Sequence, residues 1–278
     1  MNSVKRAVGK NTWLNRTLLA AVAMAGACAA QAQSPANVTA SIPYITYGGP
    51  AANAWTTELI FTNLGTTQAT LTFRWYGDNG APLSVPVIGF GRAATHTFQV
   101  APNATLDISI DPTQDAFTGG WAAVDITGSV SGQAVLHYAV TGRPEQIAAA
   151  PLVRNGPQAS LILLGGGVPV STVPAPVSMA LPFNNVNNIT GLSIANITST
   201  AQTLALNFVD DSGSLLMSQT VALAAGAHTA FAASDPRVAN AKGTVTVSGD
   251  GSPYSAIAFV LGVGPNDGTF ATLLPIVQ

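Results

Sequence analysis

Along most of this chain apolar residues recur at every second position, and glycine, proline, asparagine or aspartate break the alternation at short intervals. In "TLTFRW", Leu71, Phe73 and Trp75 alternate with Thr70, Thr72 and Arg74, the period of a strand with one face in a core and one in water. The "YGDNGAP" that follows sets Asp78, Asn79 and Gly80 where a hairpin turn needs a positive φ. "TLALNFVDDSGSL" repeats the arrangement, with Leu204, Leu206 and Phe208 in the apolar phase and Gly213 in the turn.

The echo is wider than these two stretches. Thr57–Leu83 aligns without a gap on Thr190–Leu216, keeping Thr57/Thr190, Leu59/Leu192, Asn63/Asn196, Asp78/Asp211 and Gly80/Gly213 in common. Beyond it "VAPNAT" resembles "LAAGAH", "IDPTQ" resembles "SDPRV" and "SGQAVLHYAV" resembles "PYSAIAFVLG", in the same chain order. His96 in "ATHTF" and His228 in "GAHTAF" read as equivalent strand starts. Counting runs between turn formers gives about seven to nine strands per copy and no long helix. The expected fold is all-β: two tandem antiparallel β-sandwiches, Ig-like in architecture, over 36–153 and 179–278. A Gly/Pro-rich connector, 154–178, lies between them and offers one more strand at Leu161–Leu164.

The first residues change the picture of where such a fold works. Lys5, Arg6, Lys10 and Arg16 precede an apolar run that ends in Ala30-Gln31-Ala32, the pattern of a secretory signal peptide over 1–32. Cys28, the one cysteine, falls inside it and is either removed with the leader or used as a lipid anchor. The expected location is secreted or cell surface, without a disulfide. Losing the leader's four cations takes ten Lys+Arg to six against twelve Asp+Glu. A net charge near −6 makes nucleic acid a poor partner, and no segment reads as inserting into a membrane.

Candidate chemistry is sparse. The three histidines have no local company of a metal site, there is no G-x-S-x-G elbow, and neither metal nor cofactor is expected. Asp78 with Asn79, and Asp210 with Asp211, read as turn formers, and Asn63 and Asn196 as shapers of one equivalent loop. Trp75 sits in the core phase. Trp55 and Trp121 stand at strand beginnings, where a ring can stack on a ligand.

The quoted repeat, with "GAHTAF" and the closing "TFATLLP", resembles a group of secreted tandem β-sandwich (Ig-like) proteins of environmental bacteria, mostly uncharacterised. That resemblance implies export and a sandwich fold, and it brings no catalytic residue. The leading expectation is an exported, non-catalytic structural or interaction protein: a spacer, surface or adhesive module whose partner is an extracellular polymer, a surface protein or another copy of itself. The alternatives are a carbohydrate-binding module using Trp55 and Trp121, and a hydrolase without a signature, its cleft between the copies lined by groups such as Asp107, His96 or Glu145.

Overall fold

The computed structural model of the chain describes residues 40–111, 116–154, 178–263, 269–273 and 275–277. The leader, Cys28, the connector strand at Leu161–Leu164 and most of "IDPTQ" lie outside the described residues. What is described is all-β.

The first half runs β1 (Ala40–Tyr47), β2 (Asn53–Asn63), β3 (Ala69–Gly77), β4 (Val85–Val87), β5 (Gly91–Ala93), β6 (Thr95–Val100), β7 (Thr105–Ser109), β8 (Thr118–Thr127), β9 (Val130–Val140), β10 (Gln146–Pro151) and β11 (Val153–Arg154). The second runs β12 (Ser178–Asn184), β13 (Asn188–Asn196), β14 (Gln202–Asp210), β15 (Leu215–Leu223), β16 (His228–Ala232), β17 (Lys242–Ser248), β18 (Tyr254–Gly262), β19 (Phe270–Leu273) and β20 (Ile276–Val277). Each half builds a five-stranded and a four-stranded antiparallel sheet. Their orders are β11-β1-β8-β3-β6 and β10-β9-β2-β7 in the first, β20-β12-β17-β14-β15 and β19-β18-β13-β16 in the second. The repeat therefore extends to every strand of the four sheets, and the β4–β5 hairpin is an addition of the first half.

The alternation read from the sequence fills the space between the paired sheets. Leu71, Phe73 and Trp75 of β3 are fully buried, as are Leu204, Leu206 and Phe208 of β14. Phe73 stacks on Trp75 with centroids 5.1 Å apart and meets Phe61 edge-on across the sandwich. Burying rings of this size is worth about 2–3 kcal/mol each, so the phase of these strands is strongly specified.

Equivalent loops are held by equivalent asparagines. Asn63 Nδ2 donates to Thr67 O at 2.7 Å and Val100 O at 3.0 Å, while its Oδ1 accepts from Gly65 N at 2.9 Å. Asn196 Nδ2 donates to Thr200 O and Ala224 O, both at 2.8 Å, and Oδ1 accepts from Thr198 N at 3.0 Å. Both side chains are buried, and each satisfies backbone groups that the loop would otherwise leave unpaired.

The ladders correct two details of the sequence alignment. Ile60 faces Gln133 and Ser193 faces Ile257, so "SGQAVLHYAV" is displaced by two residues from its textual match, a slip that keeps every side chain on its face. His96 and His228 are not equivalent. His96 lies in β6, beside β3, whereas His228 opens β16, whose counterpart β7 opens with Thr105.

Candidate functional site

The junction between the halves is where polar side chains, aromatic rings and an open cavity meet. Strand phase puts Leu192 and Ile194 of β13 into the second core, so Gly191, Ser193 and Ala195 face the other way. On β1 a register shift between Ile42 and Ile45 interrupts strict alternation. Tyr44 stacks on His228 with centroids 5.7 Å apart and also reaches Phe259. Burial pushes the Tyr44 hydroxyl above its usual range.

Three residues from the two halves form a continuous chain of contacts. Ser193 Oγ lies 2.8 Å from His228 Nε2, and His228 Nδ1 lies 2.7 Å from Asp78 Oδ1. These are the distances of a Ser-His-Asp triad. Two features of its hydrogen bonding differ from that arrangement. A serine hydroxyl has one proton, and Ser193 donates it to Pro43 O at 2.7 Å, so only Oγ lone pairs face His228 Nε2. β13 is also paired on both sides, with β16 and β18, so the backbone N–H groups around Ser193 are committed to ladders and none is left to hold an oxyanion. The chain of contacts works as a clasp: Ser193 and His228 are buried in the second half, and each bonds a group of the first.

Other bonds close the same junction. Trp121 Nε1–H donates to Gly226 O at 2.8 Å, and the His228 N–H donates to Asp78 O at 3.2 Å. Ser41 Oγ donates to Ser255 Oγ at 3.0 Å. Tyr76, Trp121 and Ala123 pack with Ala195 and Ile197 into a buried cluster shared by both halves.

The residues singled out in the sequence fall in different places. Trp121 is fully buried, stacked on Tyr76, and presents no face to a ligand. Trp55 is half-buried and walls the cavity of about 230 Å³ at the junction. His96 is spent in the first sandwich: Trp75 Nε1–H donates to Nδ1 at 2.9 Å and Gly91 O lies 3.2 Å from Nε2. Desolvation lowers its pKa below 6.5. The cleft expected from His96, Asp107 and Glu145 is not assembled. Glu145 contacts His137 at 3.1 Å, and Glu58 contacts the same ring at 3.6 Å. On β2, Glu58 is pushed above the usual carboxylate range by burial first and then by Asp107, against the pull of His137. Among the described residues no group of His, Cys, Asp and Glu has the geometry to hold a metal ion.

Sequence reasoning missed Ser193 and the role of His228, whose bonding partner Asp78 is 150 residues away. The usable signal was faint: Ser193 is a polar residue in "GLSIAN", in a strand with apolar residues on both faces. Together these observations define an all-β chain with paired antiparallel sheets, its halves clasped through buried polar groups. A scan against protein-family models finds no match, and searches of curated proteins and of solved structures return no similar chain.

Proposed function

We propose that the chain is an exported, non-catalytic structural or interaction protein of the bacterial exterior, in which two tandem Ig-like sandwiches act as one stiff spacer or adhesive module. The observation that carries this reading is the use of Ser193, His228 and Asp78: an arrangement with the spacing of a catalytic triad gives its serine proton to Pro43 O. Chemistry is exchanged for attachment. Support for export comes from the basic, then apolar leader ending at Ala32, and the tandem-sandwich resemblance points the same way. Outer faces such as that of β3 and β6, where Thr72 and Thr97 bond side by side at 3.2 Å, offer hydroxyls and few charges to a polymer, a surface protein or a second copy.

One experiment tests both parts. Chain recovered from culture medium and cell envelope is treated with a fluorophosphonate and weighed intact. The proposal expects a chain starting at Gln33, or one lipidated on Cys28, with no adduct. A phosphonylated Ser193, or a cytosolic chain retaining 1–32, overturns it.

A further inference from the structure

The cavity at the junction is lined in a way that the sandwich itself does not require. Its floor is the outward face of β13 and β16, where Gly191 faces Ala232 and Ser193 faces Ala230. A Cβ built on Gly191 would meet nothing within 4 Å. No close approach of backbone demands glycine there.

The first half provides an internal comparison. In the matching registers Glu58 faces Ser109 where Gly191 faces Ala232, and Ile60 faces Asp107 where Ser193 faces Ala230. Thr56 faces His137 where Ile189 faces Leu261. The same face of the same sheet thus carries Glu58, Asp107 and His137 in one half and Gly191, Ala230 and Leu261 in the other. Where the charges are replaced by small and apolar residues, the cavity appears.

Its walls are aromatic. Trp55 and Tyr44 come from the first half, Phe259 and Phe270 from the second. Trp55 is held at a fixed angle, stacked on Tyr138 at 4.2 Å and edge-on to Phe270 at 5.6 Å. Ring faces of this kind bind flat π-systems by offset stacking or edge contact. Polar lining is minimal, because the Ser193 hydroxyl is already committed to Pro43 and His228. A sugar would leave its hydroxyls unpaired there, so the sugar class expected for Trp55 does not suit the lining. The volume of about 230 Å³ exceeds the ~150 Å³ of a dry cavity that accepts benzene.

We infer that this cavity is a binding site for a small, flat, apolar molecule of one or two fused aromatic rings, seated on Gly191 and Ala230 and covered by Trp55. The site belongs to the second half's sheet face but is complete only with Trp55 and Tyr44 of the first, so it senses the joining of the two. It adds a ligand to the module and does not depend on whether that module is exported.

The test is calorimetric titration of the mature chain with naphthalene, indole and, for contrast, cellobiose. Naphthalene and indole are expected to bind saturably at one site and cellobiose not at all. Gly191→Leu fills the floor without a backbone clash, and it is expected to weaken aromatic binding at least tenfold while the thermal midpoint stays within the range of the parent. Trp55→Ala is expected to weaken it several-fold. Absence of saturable binding by the parent chain, equal binding by Gly191→Leu, or preference for cellobiose would each overturn the assignment.

Discussion

His96 and His228 show how one residue type is put to two uses by its surroundings. His96 Nδ1 accepts a hydrogen bond from Trp75 Nε1–H, so a proton arriving at Nδ1 would be set against another donor. Its folded pKa lies below 6.5, and the unfolded chain takes up the proton first. The resulting contribution is whole above pH 6.5 and is lost as pH falls through the lowered folded value. Urea midpoints measured from pH 7.5 downward are expected to fall more steeply for the parent than for His96→Gln, which retains an acceptor for Trp75 and does not titrate. Parallel curves would show that His96 is not the sensor. His228 could not have been understood from its neighbours in sequence, because Asp78 and Tyr44 reach it only when the halves meet. Asn63 and Asn196 were legible because part of their bonding, to Gly65 and Thr67 and to Thr198 and Thr200, is local and the repeat presents the same solution twice; their bonds to Val100 O and Ala224 O were not.

At the scale of elements, the turn after β3 and its counterpart after β14 separate local from distant demands. Gly80 and Gly213 both have positive φ, at 77° and 89°. Around Gly213 a Cβ would meet nothing, whereas at Gly80 it would lie 2.2 Å from Ala225 O, because this turn docks against the turn between β15 and β16. Gly213→Ala is therefore expected to cost about 1–2 kcal/mol for backbone strain alone. Gly80→Ala should cost about 1–3 kcal/mol more, since packed backbone must move. Chemical denaturation of the two variants reads the difference directly, and equal losses would remove the turn from the junction. Strand existence and phase were written plainly in the sequence, since period and turn residues act locally. The pairing of His96 with His228 misled because "ATHTF" and "GAHTAF" share letters without sharing a sheet; sheet membership depends on which strand closes beside which, and no local pattern encodes that.

Across the whole molecule, the central claim is that the halves behave as one body. The first core includes Ile257, Phe259 and Phe270 of the second half, and Thr272 Oγ1 donates to Ala149 O between the edge strands β19 and β10. Trp121, His228 and the paired serines add buried bonds whose loss would leave donors and acceptors unsatisfied on both sides. The stiff module proposed above and the aromatic cavity shared between the halves both depend on that union. The most direct measurement is differential scanning calorimetry of the mature chain beside Gly80→Leu, which forces the docked turns apart. One transition in the parent, with calorimetric and van't Hoff enthalpies equal, and two transitions in the variant are the predicted results. Two independent transitions in the parent, unmoved by the substitution, would contradict the account.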